Sequence, residues 1–477
     1  MTHAVVVGGG VGGLAAAIAL AQRGVRVTVC EAKSSFGGLA SALEVDGTRF
    51  DGGPYILLDP EGLTWALDAL GLSLDGLKRV TDVYEVERDP SRDRPVRFFA
   101  DLAETIERLE RDHPGQGVRY GRFVAEVTKI HRGLAALQRR ARPSPLALVR
   151  SGGLRNAPFL LRSLATTLHR AGLEGLVADA VGIWTHIAGQ TLSTAPSPLA
   201  LVPAMIHGAG CFVPARGMAA IPELVEGRAR ALGATLRADA RVRRVTTANG
   251  RVSGVELADG ETLHADFVVS DASGVATLLE LAPTPARARA KVASLPLQSP
   301  GVAAYGRGAL HDDGPYLRFR LAPDDPSAPC RLIVRPHRID PHATAPSPHP
   351  IRIVAPLDHA LAEQLGEQGQ TELLDRVLAD PWIAQRVGPF EELARLVPAS
   401  WGRRHVLHRD SMNPVMTARF MRQGRLPHRV DAPEGLFLVG SSTHPGQWVS
   451  FCLISGVLGA DEVFRWLDER AGSCSPR

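Results

Sequence analysis

A glycine-rich turn near the start of the chain, Gly8-Gly9-Gly10-Val11-Gly12-Gly13, is followed eighteen residues after Gly13 by an acid, Glu31. Each residue type has a task in one kind of chemistry, the binding of a dinucleotide. Gly8 permits the tight turn, Gly10 lets bare backbone approach a pyrophosphate, and Gly13 allows close packing of helix on strand. Val11 and Gly12 open the helix, whose free N–H groups attract phosphate charge. Glu31 is placed to accept both hydroxyls of a ribose.

These residues need a βαβ unit to hold them. Residues 4–7 are a β-branched run, 14–22 an apolar helical stretch ending at Gly24, and 25–30 a second alternating strand. Two more stretches offer bare backbone: Ser34-Ser35-Phe36-Gly37-Gly38-Leu39 and Phe50-Asp51-Gly52-Gly53-Pro54-Tyr55. At the far end, residues 435–440 form an apolar strand closing on Gly440, followed by Ser441-Ser442-Thr443-His444-Pro445-Gly446. A helix is expected over 453–466, opening near Gly456. A nicotinamide domain needs none of these additions. A second strand, turn and helix N-terminus suit a ribityl chain and flavin ring, so FAD is the expected cofactor. Between the ends, residues 240–245, 251–257 and 261–269 alternate around Asn249-Gly250 and Asp259-Gly260, the pattern of a β-meander.

Three stretches carry a family likeness: VVVGGGVGGLAAAIAL…VTVCEAKSSFGG with FDGGP, then FVPARGMAAIPEL with the meander closing on ADFVVSDAS, and LFLVGSSTHPG. On these the chain resembles the phytoene desaturase family of FAD-dependent oxidoreductases, within the amine oxidase-like flavoprotein superfamily. The resemblance implies an α/β fold, with a discontinuous Rossmann-like FAD-binding domain of the GR2 type and a mixed α+β substrate domain. The FAD domain is expected over residues 1–85, 206–295 and 405–477, and the substrate domain over 86–205 and 296–404. It further implies that Glu31 and Ala32 meet the adenosine ribose and that Gly37 and Gly38 run along the pyrophosphate. Val242 is expected to meet the adenine, with Leu39, Gly53, Pro54 and Tyr55 beside the cofactor. Gly440, Ser441, Gln447, Trp448 and Val449 would flank the ribityl chain and ring. Two positions depart from the family pattern. Leu39 stands where Arg or Lys is common, and Gln447-Trp448-Val449-Ser450-Phe451 puts bulk where relatives continue with glycine and proline.

Composition narrows the rest. The 477 residues are 45% apolar, enough for large cores, and a net charge of +4 gives no field for nucleic acid. Five scattered cysteines without a C-x-x-C pair point to a reducing compartment and to neither disulfides nor a metal site. A strand beginning at Ala4 leaves no room for a leader, and no apolar run reaches the ~18 residues of a membrane span. The expected location is the cytoplasm, peripheral on the inner face of the cell membrane. That attachment would use residues 127–173, which hold no acid but nine basic residues: Lys129, Arg132, Arg139, Arg140, Arg142, Arg150, Arg155, Arg162 and Arg170. Interleaved with leucines, they suit either an anionic membrane at the mouth of a lipophilic substrate channel or a solvated basic face. Residues 184–202 are largely apolar and fit core packing, and 301–398 suggest a sheet roofing the substrate cavity, with 340–350 as a loop.

Dehydrogenation by hydride transfer to flavin N5 asks little of protein acids and bases, because the cofactor carries the reaction while the protein orients the substrate and excludes water. No paired carboxylates or Ser/His/Asp arrangement are found. His444 is the candidate for proton transfer beside the flavin, against a structural role bracing its turn. His405 and His408 form H-x-x-H without a third ligand and read as surface histidines. The expected reaction is desaturation of an isoprenoid, polyene or related substrate. An amine oxidase would require a lysine-held water, for which the only late lysine is Lys291. A redox-neutral polyene isomerase is a third alternative.

Overall fold

In the computed structural model, residues 1–473 are described, apart from 90–92, 142–144, 151, 154, 187–188, 322–329, 337–347, 418–419, 421–423 and 432. The β-branched run becomes the strand His3–Val7, whose last four residues are buried, and Val11–Ala21 is a helix buried on nearly all sides. Such a strand has no solvent face and belongs at the centre of a parallel sheet. It is the middle of five parallel strands, in the order Leu436–Leu438, Phe267–Ser270, His3–Val7, Arg26–Cys30 and Thr235–Arg237. Both ends and the middle of the chain thus build one Rossmann-like sheet.

The expected third strand of the meander divides. Thr262–His264 stays with Val242–Ala248 and Arg251–Leu257 in the antiparallel meander, while Phe267–Ser270 leaves to pair with His3–Val7. Burial explains the split: Phe267–Ser270 is buried at every position, whereas the flanks of Thr262–His264 are exposed. The C-terminal helix also differs from expectation. It runs over Val449–Ser473, so Gly456 lies inside it rather than at its start. A β-carbon there would come within 2.6 Å of Ala15 Cβ and 2.8 Å of Ala16 N, so glycine lets this helix cross Val11–Ala21 backbone to backbone.

A seven-stranded sheet stands over the nucleotide fold, in the order Glu391–Leu396, Val302–Gly308, His349–Ala355, Cys330–Val334, Leu317–Leu321, Asp82–Glu87 and Val96–Phe99. The strand Asp82–Glu87 and the helix Pro398–His405 run across the 85/86 and 404/405 divisions expected from the sequence. Along His349–Ala355 side chains alternate between faces. Ile351 and Ile353 pack with Leu373, Leu374 and Val377 of the helix His359–Leu378, while Arg352 and Val354 look into a cavity on the other side.

Residues 127–173 form the end of the long helix Gln116–Gln138, then the short helices Pro145–Arg150, Ala157–Leu160 and Leu164–Arg170. Lys129, Arg132, Arg140, Arg150, Arg155 and Arg170 are exposed, whereas Arg139 and Arg162 are half-buried. Arg142 and most of the 340–350 loop lie outside the described residues. Among the described residues, no helix is long and apolar enough to cross a membrane.

Candidate functional site: a dinucleotide cradle opening into an apolar cavity

The helix Val11–Ala21 starts at Gly10, which as a glycine has no side chain to cap it, and the Asp271 carboxyl lies against the N–H groups of Gly10 and Gly13. Gly8 takes φ +94°, a left-handed conformation that lets the strand turn into the helix. Behind this turn the chain is packed to backbone contact. A β-carbon on Gly12 would meet Asp271 Oδ1 at 2.6 Å and Gly440 Cα at 2.7 Å. Glu31 is buried at the end of its strand, accepting from the Gly9 N–H at 2.7 Å and the Lys33 N–H at 2.9 Å.

A cavity of about 470 Å³ begins at this cradle and continues beneath the seven-stranded sheet. Of the residues singled out in the sequence, Gly8, Gly10, Val11, Gly12, Glu31, Ala32, Gly37, Gly38 and Leu39 line it. So do Gly53, Pro54, Tyr55, Val242, Ser441, Gln447, Trp448 and Val449. Gly13 and Gly440 stand behind the wall, where a side chain on either would strike Gly8 or Asp271. The segment 184–202 contributes both wall and core: Trp184, Gln190 and Leu199 reach the cavity, while Ala195, Ala200 and Val202 pack inside.

The structure does not bring His444 to the cavity. Its Nε2–H donates to the Leu137 carbonyl at 3.0 Å, bracing the end of the helix Gln116–Gln138, and burial holds its pKa below the usual imidazole value. His405 is no surface residue either. It stacks on Trp401 with ring centres 4.5 Å apart and stands 3.3 Å from Lys33 Nζ; burial, with the Lys33 and Arg404 charges, drives its pKa to about 2. His408 turns away to Glu280. Among the described residues no three potential ligands gather for a metal ion.

Several cavity residues escaped the sequence reading. Asp271 follows the strand Phe267–Ser270 and accepts from the Gly10 and Gly13 N–H groups; burial pushes its carboxyl up to about 7, with Glu31 adding to the effect. The pairing of Phe267–Ser270 with His3–Val7 brings Asp271 to the glycine turn, and no local feature of the sequence signalled this. Lys33 lines the cavity with its Nζ on the Gly38 carbonyl at 3.1 Å. Arg352 enters from the sheet, and its segment offered no motif.

Cradle, buried acid and a cavity drawn from both chain ends define a flavoprotein of the two-nucleotide-fold class. The chain belongs to the flavin containing amine oxidoreductase family, whose model matches residues 11–464. Among curated proteins it is 29% identical to the zeta-carotene-forming phytoene desaturase of Myxococcus xanthus, over 99% of this chain and 96% of the relative. It is 25% identical to the 4,4'-diapolycopene oxygenase of a Methylomonas species, over 96% and 97% respectively. Among solved structures, an oxidoreductase from Methanosarcina mazei superposes with a TM-score of 0.66 at 18% identity, covering 97% of this chain and all of that one. The family resemblance read from the motifs therefore holds, and the protein is a flavin-dependent oxidoreductase.

Proposed function

We propose that the flavin is FAD and that the chain uses it to desaturate a lipophilic isoprenoid or polyene substrate. The observation that carries this reading is the continuity of one cavity from the glycine cradle to apolar walls at Trp184, Leu199, Leu332 and Val354. The adenosine half fits the residues present, with Glu31 at the ribose and Val242 at the adenine. The glycines leave the gap that the diphosphate needs. FAD supplies the hydride-accepting chemistry when bound. The chain's own part is to align the substrate along the apolar walls and to exclude water. Lys291 is exposed on the helix Ala286–Ala293, away from the cavity, and Lys33, which does line it, has its Nζ tied to the Gly38 carbonyl of the cradle, which weighs against the lysine-held water of an amine oxidase.

The test is an absorbance spectrum of the purified protein, then anaerobic mixing with a polyene hydrocarbon such as phytoene. Flavin bands that bleach on mixing support the reading. Bleaching with amines alone would replace it, and a protein unable to take up FAD would end it.

The substrate's lipophilicity gives the basic segment a use. Leu146, Val149 and Leu161 are each more than half exposed among the exposed arginines of 127–173. We infer peripheral docking on anionic lipid, each basic residue near the surface contributing about 1 kcal/mol. Co-sedimentation with phosphatidylserine vesicles at low salt is expected, and its absence would leave a solvated basic face.

A further inference from the structure

Among the described residues, the buried and half-buried arginines around the seven-stranded sheet are matched with acids, except one. Arg318 pairs with Glu85 and Asp312, Arg331 with Asp380 at 2.8 Å, Arg335 with Asp312 at 2.6 Å and Arg386 with Glu87 at 2.5 Å. Arg352 is 92% buried yet has no carboxylate of the described residues within ion-pair distance. Its Nη1 donates to the Gly53 carbonyl at 2.6 Å and to the Asp51 carbonyl at 3.4 Å, Nε is buried without a partner, and Nη2 makes no hydrogen bond. The guanidinium carbon lies 5.2 Å from the Tyr305 ring centre and 5.8 Å from that of Tyr55.

None of these neighbours answers the charge. Carbonyls accept a hydrogen bond but carry no net charge, and the aromatic faces attract a cation without accepting in its plane. Tyr305 spends its hydroxyl on the Gly52 carbonyl at 2.7 Å. Burial pushes the Asp51 carboxyl up to about 6, a rise the Arg352 charge only partly offsets, and the carboxylate accepts from the Ala219 N–H at 3.4 Å rather than from Arg352. A guanidinium cannot give up its proton, and burying it unpaired is costly. Because side chains alternate along His349–Ala355, the unpaired fork faces the same cavity as Val354. A planar fork with free donors matches a carboxylate.

We propose that Arg352 receives a carboxylate of the substrate, so that the molecule taken up is an unsaturated lipophilic acid. Its charged end lies against the Gly53 to Tyr55 loop and its apolar body along Trp184, Leu199, Leu332 and Val354. The inference rests on the reading of this cavity as a lipophilic substrate site and adds which end of the substrate is fixed.

The experiment compares α-linolenic acid with its methyl ester, titrated into the FAD-loaded protein below the micellar range and followed by the flavin difference spectrum. The acid is expected to bind about tenfold to hundredfold more tightly. Arg352→Met should bring the acid down to the ester's affinity with ester binding and FAD content unchanged, and Arg352→Lys should keep part of the preference. Equal affinity in the unaltered protein, including failure of both probes to bind, overturns the proposal, as does a preference surviving Arg352→Met. If Arg352→Met loses FAD and the unaltered protein shows no preference, the guanidinium serves the cofactor instead. Flavin bleaching by a hydrocarbon polyene is scored separately. Bleaching without acid preference removes the Arg352 assignment and leaves the desaturase reading standing.

Discussion

Asp271 Oδ1 lies 2.6 Å from the point where a β-carbon on Gly12 would stand, so a carboxyl group and an absent side chain share one space at the mouth of the cradle. The Gly10 and Gly13 N–H groups donate to this acid, Glu31 is the charged group that bears on it, and burial raises its pKa to about 7. Below that pH the group is neutral; above it, an anion faces the diphosphate. FAD affinity should therefore be greatest below pH 7 and fall by up to about tenfold per unit above it. Asp271→Asn should flatten the dependence. Flavin fluorescence titrations from pH 6 to 9 measure both, and a flat profile in the unaltered protein would refute the coupling.

Gly12→Ala should cost more than its single methyl suggests. The new carbon would meet the Asp271 carboxylate and the Gly440 backbone at once, and the backbone contact cannot be relieved by rotating a side chain. Overpacking of this kind costs about 1–3 kcal/mol. The expected result is a protein of near-native helix content whose flavin is lost on gel filtration.

Glu31→Gln keeps the shape of the side chain while removing its charge. Hydrogen bonds to a charged group contribute about 1.5–3 kcal/mol, so FAD should bind roughly 10- to 100-fold more weakly. Glu31→Ala should also lower the melting temperature, because the Gly9 and Lys33 N–H groups lose the acceptor that holds them now.

How far the sequence could be read depended on whether a residue's task was local. Gly8 to Glu31 work within one βαβ unit, and their spacing alone placed the cradle. The turn from Ser441 to Gly446 after its apolar strand was readable locally too. The place of Gln447 to Val449 beside the cofactor came from the family resemblance, and the helix starts at Val449 rather than near 453. Asp271 and Arg352 act only across the fold: one closes a strand in SDAS, the other alternates with isoleucines in a stretch of mixed Pro, His and Arg, and neither has a neighbour in sequence that reveals its partner. The meander misled by continuity, because residues 261–269 read as one alternating run although burial sends its second half to another sheet. His444 misled by proximity, being close in sequence to the ring-binding turn but directed at Leu137.

His444→Ala should leave the chemistry alone. The imidazole braces a helix end, so the pH profile of flavin reduction should be unchanged while stability falls by about 1 kcal/mol, the worth of one hydrogen bond. Stopped-flow reduction and thermal melts separate the two. A rate that drops and shifts its pH midpoint would restore a catalytic role.

The five-stranded parallel sheet takes one edge strand from Leu436–Leu438 and its central strand from His3–Val7. During synthesis the cradle at Gly8 therefore waits for more than four hundred residues before the wall at Gly440 can close behind it. A nascent or truncated chain has the fingerprint but no place to keep the cofactor, and flavin retention becomes a measure of whether the ribosome has finished its work.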